Sequence, residues 1–326
     1  MGFTIWQPLK KSKGLRNSLL LAIIASFGIF IALSIYADIG KVTQALAEFR
    51  WGYIPLILAL TSLSYLLRFY KWHYYLGCIG VRIKWKDSLA IFLSGLAMTV
   101  TPAKLGEIYK SYLLKRLKGT EISRSIPVVF TERIADMLSL LILAAISFSA
   151  LEHGLKVLII ILTILLTLIA ILQSRPLSIK LLGALNKVPF IKRASASLIV
   201  AYESANTLFQ WKTLLITVLI GMLSWWFICW GMYFVLVGFN IDGSMLLSTF
   251  VTSFSLLLGG ISMIPGGLGV TEAGLAGLLM LSGISKGIAI TATVIIRLCT
   301  LWFGEVVGLI AMLLTRRKII VDNRKE

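Results

Sequence analysis

The stretch Ile264-Pro265-Gly266-Gly267-Leu268-Gly269-Val270-Thr271-Glu272 interrupts a long apolar region of this chain. Proline removes a backbone donor and glycine loosens the backbone, so a continuous helix is expected to break here. In lipid, a broken helix is tolerated only where protein or trapped water satisfies the freed backbone groups. The carboxylate of Glu272 follows directly, and a buried charge beside a broken membrane helix indicates a functional site. The alternative is a kinked helix that packs through small residues.

A similar stretch occurs earlier, at Thr101-Pro102-Ala103-Lys104-Leu105-Gly106-Glu107. Arg133 follows the first proline at nearly the same spacing as Arg297 follows the second, and both arginines lie in long apolar segments. We interpret this as an internal duplication within one membrane domain, residues 51–150 against 211–315, linked by 151–210. Paired interrupted segments in two halves of a chain are a sequence indication of a transporter binding site.

The composition is that of a polytopic helical membrane protein. Of 326 residues 58% are hydrophobic, and the mean hydropathy is +0.91. The net charge of +18 would suggest nucleic acid in a soluble protein. Here the basic residues cluster between apolar spans, so we expect no nucleic-acid partner. The two histidines are far apart and the three cysteines are scattered, which predicts no metal site and no cofactor.

The apolar pattern predicts an all-α protein with about six spans and two re-entrant hairpins. A span needs about 20 apolar residues. The predicted spans are residues 18–37, 53–69, 126–150, 155–172, 213–237 and 289–314, and the hairpins pair 88–100 with 105–117 and 245–263 with 273–281.

Basic residues set the expected orientation in a cell membrane. Most lie on one predicted side, which the positive-inside rule makes cytoplasmic, together with both termini. This layout assigns Arg68 and Lys71 to a cytoplasmic loop after the second span, and residues 174–212 to a basic inner-surface linker. The two hairpins then enter from opposite faces, as in an inverted repeat that permits alternating access.

Charges inside the membrane are expected to be paired, because an unpaired one costs about 2.5–3.5 kcal/mol or more. We expect Arg133 to meet Glu107 or Asp136, and Arg297 to meet Glu272 or Glu305. These pairs either serve packing alone or let the arginines and Lys104 hold an anionic headgroup, which a guanidinium grips in a bidentate way. Helix N-termini at the breaks would add favourable dipoles. The candidate substrate-binding residues are Lys104, Glu107, Glu132, Arg133, Asp136, Glu272, Arg297 and Glu305, and the hairpin breaks are Pro102, Gly106, Pro265, Gly266, Gly267 and Gly269.

These motifs, with Thr131-Glu132-Arg133-Ile134-Ala135-Asp136 and Ile296-Arg297, resemble the lysylphosphatidylglycerol synthase transmembrane-region family over residues 15–315. The resemblance implies a flippase-like protein. Multiple peptide resistance factors, which contain such a region, move aminoacylated phosphatidylglycerol between leaflets and add a soluble aminoacyl-transfer domain. This sequence ends at Glu326 without one, so we expect no synthase activity. Other members look linked to polyprenyl-phosphate or lipid-linked sugar pathways.

The sequence therefore predicts a non-enzymatic lipid translocase or lipid-binding transporter for an anionic or modified phospholipid or a polyprenyl-phosphate lipid. There is no Gly-x-x-x-x-Gly-Lys-Ser/Thr loop, which favours a gradient or mass action as the driving force. Two alternatives stay open: a membrane enzyme acting on lipid phosphates, and a non-transporting partner in lipid modification or lipid-linked glycosylation. The expected partners are membrane lipids, with a homo-oligomer or a lipid-modifying enzyme left open.

Overall fold

The computed structural model describes residues 38–101, 107–149 and 203–322, with a few isolated positions before 38 and at 163. These residues form helices and connecting turns, with no strand among them. The predicted all-α class is confirmed. The predicted spans 18–37 and 155–172 lie almost wholly outside the described residues, so the number of spans remains a prediction.

Ten α-helices follow one another along the described chain, in addition to the helical residues 203–208. They are α1 (Ile39–Glu48), α2 (Ile54–Cys78), α3 (Trp85–Leu96), α4 (Tyr109–Lys118), α5 (Ile122–Ser149), α6 (Trp211–Gly238), α7 (Met245–Ile261), α8 (Val270–Leu281), α9 (Lys286–Arg297) and α10 (Phe303–Asp322). A π-helical turn, Leu298–Trp302, joins α9 to α10.

Three helical stretches are long and apolar enough to cross a membrane: Trp51–Cys78, Trp211–Gly238 and Lys286–Thr315. Each has at least 28 residues, which exceeds the roughly 20 that a bilayer requires. Helix α5 also has 28 residues. Helices α7 and α8, with 17 and 12 residues, are shorter than a comfortable span.

Helix α2 corrects the predicted end of the second span. The sequence pattern ended it at Phe69 and assigned Arg68 and Lys71 to a cytoplasmic loop, but the helix continues to Cys78 and both side chains are buried in it. The helix ends where Gly80 adopts a left-handed conformation with φ of 73°. Val81 N–H donates to Leu76 O and Gly80 N–H to Gly77 O, which is a Schellman cap. These charged residues were misread as exposed: the buried carboxylate of Asp136 compensates Lys71, and Arg68 lies against the rings of Tyr65 and Trp225.

The second proline-centred break is confirmed. Helix α7 ends at Ile261, Pro265–Gly267 forms one 3₁₀ turn, and α8 begins at Val270. All three glycines of the break have positive φ, between 61° and 84°, a region that side chains other than glycine's disfavour.

The first break is described only at its margins. Helix α3 ends at Leu96, turns follow to Thr101, and α4 begins at Tyr109, later than the predicted Leu105. Three residues assigned to this break and site, Pro102, Lys104 and Gly106, lie outside the described residues.

The same order of helix lengths, long–short–short–long, occurs twice. It occurs first in α2 to α5, and again in α6, α7, α8 and the continuous stretch formed by α9, the π-helical turn and α10. The leading helices α2 and α6 end alike, since Ile241 N–H donates to Leu236 O and Asn240 N–H to Val237 O in a second Schellman cap. The two leading helices pack along each other, whereas α3 packs on α10 and α7 packs on α5. Each short helix after a leading helix thus contacts the last helix of the other half.

The contact between α3 and α10 is close because Gly308 has no side chain. A Cβ at that position would lie 2.2 Å from the backbone nitrogen of Ala97. The end of α3, just before the first break, is therefore held directly against α10.

Candidate functional site

Helix α5 presents three charged side chains within about one turn. Arg133 Nη2 lies 2.9 Å from a carboxylate oxygen of Glu107, and Arg133 Nη1 lies 3.5 Å from Asp136 Oδ2. The expected pairing of Arg133 is confirmed, and it includes both predicted carboxylates.

Asp136 has a second cationic partner that the sequence did not reveal. Lys71 of α2 is fully buried and forms an ion pair with Asp136 Oδ1. The indole Nε1 of Trp225 donates to the same oxygen over 3.1 Å. Asp136 therefore joins α2, α5 and α6. In the sequence, Lys71 lies in a segment rich in aromatic and basic residues, and no helical periodicity distinguishes it from them. Only the tertiary packing shows that it is buried.

Lys110 of α4 is also a buried cation that sequence reasoning missed. Its Nζ lies 2.6 Å from Glu132 Oε2 and 3.5 Å from Glu107 Oε2. It also lies 4.5 Å from the ring centroid of Trp72, at cation–π distance. The spacing of Glu107 and Lys110, three apart on one helical face, was the available signal.

The second half forms a simpler pair. Arg297 Nε lies 2.6 Å from Glu272 Oε1, and Arg297 Nη2 donates to Gly266 O over 2.8 Å. Arg297 thus ties α9 to the second break, and pairing with Glu272 confirms one of the two predicted partners.

Glu272 also caps α8. Its Oε2 accepts from Gly269 N–H over 2.7 Å, which is the carboxylate half of a capping box. The carboxylate of Glu272 thus takes up the backbone N–H of Gly269 at this N-terminus, and the expected contribution of the helix dipole to ligand binding stays a prediction.

The π-helical turn after Arg297 changes the direction of the next side chains. Such turns insert one residue into a helix and often occur at functional sites. Thr300 lies in this turn, and its carbonyl accepts a 2.5 Å hydrogen bond from Tyr65 Oη. The turn therefore connects α9 and α10 to the middle of α2.

A cavity of about 110 Å³ lies where these groups converge. Its charged lining residues are Arg68, Arg133, Asp136 and Arg297. Four small or hydroxyl-bearing residues also border it: Gly266, Gly267, Thr271 and Thr300. The two arginines singled out from the repeated spacing thus face one cavity, bordered by both halves of the described chain.

Arg68 is the unmatched cation of this cavity. It is 8% exposed, and no carboxylate lies within ion-pair distance among the described residues. Its Nε is buried without a hydrogen-bond partner in that set. The guanidinium carbon lies 5.1 Å from the ring centroid of Trp225 and 6.0 Å from that of Tyr65. Aromatic faces thus hold Arg68, and no described carboxylate forms a direct ion pair with it.

Among the described residues, four other predicted substrate-binding residues are buried and do not line the cavity: Glu107, Glu132, Glu272 and Glu305. Glu107, Glu132 and Glu272 hold the cations named above. Glu305 Oε1 accepts from the backbone N–H of Val100 over 3.1 Å. In the described part of the chain, no group of three or more His, Cys, Asp or Glu residues is arranged to hold a metal.

Comparison with known proteins places this architecture in a family. The model of the lysylphosphatidylglycerol synthase transmembrane region matches residues 21–308. The chain belongs to this family. The resemblance drawn from the two break motifs and the two arginines is confirmed.

Relatives of the chain span most of its length. A UPF0104 membrane protein of Methanocaldococcus jannaschii is 27% identical over 70% of this chain and 97% of its own. A UPF0104 membrane protein of Pyrococcus horikoshii is 23% identical over 93% of this chain and 98% of its own. A third, from Methanothermobacter thermautotrophicus, is 22% identical over 86% and 89%. Family membership and the long apolar helices together indicate a multi-pass membrane protein with a role related to membrane lipids.

Proposed function

We propose that this protein binds the anionic headgroup of a lipid in the arginine-lined cavity and moves that lipid across the membrane. The observation that carries the proposal is the convergence of Arg68, Arg133 and Arg297 on one cavity, with Asp136 as the carboxylate on its described lining. By the measure used for buried water, about 10–15 Å³ holds one molecule. A cavity of about 110 Å³ therefore suits several waters or one compact anion.

The charges favour an anion over a cation. Arg133 and Arg297 are each held by carboxylates, whereas Arg68 has none among the described residues. A buried, uncompensated charge is unfavourable, and a bound phosphate would supply the missing partner. Guanidinium groups match phosphate oxygens with two parallel hydrogen bonds. The site is therefore suited to a lipid phosphate.

The family's namesake lipid is compatible with this chemistry. Lysylphosphatidylglycerol carries amines, but it also retains a phosphodiester. In our proposal the three arginines recognise that shared phosphate, so phosphatidylglycerol, its aminoacylated form and polyprenyl phosphates are the candidate substrates. The absence of a nucleotide-binding loop from the sequence fits movement driven by a gradient or by mass action.

The duplicated architecture supports movement rather than binding alone. The repeated helix order, the matching caps at Gly80 and Asn240, and the crosswise packing of α3 on α10 and α7 on α5 fit two related halves. We extend this to an inverted repeat with two re-entrant hairpins in the cell membrane and both termini cytoplasmic. Such repeats surround a midplane site and permit alternating access.

Reconstitution into vesicles tests the proposal. Purified protein is incorporated into vesicles with phosphatidylglycerol or phosphatidylcholine that carries a fluorophore on an acyl chain. Dithionite bleaches the outer leaflet alone, so loss of fluorescence beyond the outer-leaflet share reports movement between leaflets. We expect movement of the anionic lipid above empty vesicles, and its loss in Arg68→Gln. Arg116→Gln is the matched control because Arg116 is exposed on α4, away from the cavity.

Two outcomes would overturn the proposal. One is an anionic lipid that moves no faster with the protein than without it. The other is transport that Arg68→Gln leaves unchanged. Mass spectrometry of the lipids recovered from the same vesicles adds a further check, since a chemically altered lipid would favour a membrane enzyme instead.

A further inference from the structure

A second, apolar groove opens between α2, α3 and α10. Its volume is about 160 Å³, and none of the described residues that line it carries a charge. Leu66 lies on α2, Leu89 and Leu93 on α3, and Phe303 and Val307 on α10. Leu66 is 42% exposed, so this groove reaches the outer surface of the helix bundle. In a membrane protein, that surface faces hydrocarbon.

Tyr65 belongs to both the groove and the arginine-lined cavity. Its ring stacks on Phe303, with centroids 6.4 Å apart and planes inclined by 10°. On the cavity side, the guanidinium of Arg68 lies 6.0 Å from the same ring. Tyr65 is therefore the described residue that borders both the apolar groove and the cationic cavity.

Tyr65 is held in place by the π-helical turn and the start of α10. Its hydroxyl donates to Thr300 O, and Gly304 lies next to the hydroxyl end of its ring. A Cβ at position 304 would lie 2.3 Å from Tyr65 Oη. Because Gly304 has no side chain, Tyr65 has room to lie between the groove and the cavity.

We infer that the groove holds a hydrocarbon chain of the lipid whose anionic group occupies the cavity. This inference rests on the proposed function and names the second half of its substrate site. Three observations select a hydrocarbon chain as the occupant: the absence of charge among the described lining residues, the opening toward lipid at Leu66, and the position of the groove beside the cationic cavity, with Tyr65 lining both. An amphiphile with a phosphate and an apolar chain matches this pair of compartments, whereas a water-soluble phosphate uses the cavity alone.

The experiment fills the groove without touching the cavity. Leu93→Trp places an indole in the groove, and Leu219→Trp is the matched control because Leu219 is a 55% exposed leucine of α6 outside both compartments. We expect Leu93→Trp to reduce transport of long-chain phosphatidylglycerol to the level of empty vesicles. Binding of glycerol phosphate to the purified protein, followed by calorimetry, should be unchanged. Leu219→Trp should alter neither.

A photoreactive lipid gives an independent readout. A phosphatidylglycerol with a diazirine in one chain should label peptides of α3 or α10 in the wild-type protein, and should lose this labelling in Leu93→Trp. Wild-type labelling elsewhere, or wild-type transport in a folded Leu93→Trp protein, would overturn the groove assignment. The translocase proposal fails by a different result, namely labelling of the groove without any movement of lipid between leaflets.

Discussion

Arg297 and Glu272 lie 25 positions apart in the chain, and Arg297 Nε approaches Glu272 Oε1 to 2.6 Å in a buried pair. The same glutamate caps α8 and the same arginine binds the carbonyl of Gly266. One ion pair therefore fixes the geometry of the second break and the position of a cavity arginine.

Removing one member of this pair should destabilise the protein. For Arg297→Gln we expect a loss of about 3–5 kcal/mol in the free energy of unfolding, because Glu272 would remain charged and buried. The double variant Arg297→Gln/Glu272→Gln should recover much of this loss, since two amides can hydrogen-bond without charge. Equilibrium unfolding in mixed micelles measures both. A single variant as stable as the wild type would contradict a buried pair.

Buried lysines should resist chemical modification. Lys71 and Lys110 are 0% and 2% exposed, whereas Lys84 and Lys115 are exposed. Reductive methylation of the folded protein, followed by peptide mass spectrometry, should therefore label the second pair and spare the first. Protein unfolded in detergent is the control and should be labelled at all four. Rapid labelling of Lys71 in folded protein would restore the loop assignment that the structure corrects.

The second break should be intolerant of side chains. At Gly267, with φ of 66°, an added Cβ would lie 2.6 Å from Thr271 Oγ1 and 3.1 Å from the Cα of Gly259. Gly267→Ala should therefore cost at least the roughly 1–2 kcal/mol of a left-handed conformation for an L-residue.

Gly277→Ala provides the comparison for that substitution. Gly277 lies within α8 and nothing lies within 4 Å of its notional Cβ. Alanine there should raise stability by about 0.5–1 kcal/mol, as for an interior helical glycine. Thermal unfolding of both variants should show shifts of opposite sign, and equal shifts would mean that the turn at Gly267 is not constrained.

Glu305 should act through hydrogen bonding to the backbone. Its Oε1 accepts from Val100 N–H over 3.1 Å, at the entrance to the first break. Glu305→Gln keeps an acceptor and should change stability little. Glu305→Leu should cost about 1–3 kcal/mol, because a buried donor would be left unsatisfied. The difference in unfolding free energy between the two variants checks this role, and equal losses would exclude it.

The sequence predicted the elements whose signals are local. The glycines and proline of 264–272 broke the helix where expected, and the repeated spacing identified Arg133 and Arg297, which line one cavity. Lys71 and Lys110 were missed because their burial depends on carboxylates of α5, which are distant in sequence. The end of α2 did have a local signal, in Gly80, but the preceding basic residues outweighed it in the interpretation.

Arg68 illustrates the limit of pattern-based reasoning. Its place at the end of an apolar run is typical of a residue at the membrane boundary. Only the packing of α2 against α5 and α6 shows it at the cavity, against Trp225. Whether a charged residue near a helix end lies in solvent or in the interior depends on which side chains of other helices pack around it.

The close approach of Gly308 to Ala97 has a mechanical consequence. Because backbone meets backbone there, we expect α10 and the end of α3 to shift together, and α7 packs on α5 between the opposite members of the two halves. Any rocking motion would then involve two interwoven blocks, each assembled from early and late parts of the polypeptide. If the chain is cut within residues 151–210, each fragment holds only one of the two helices of each pair. The two fragments should therefore assemble only when they are produced together.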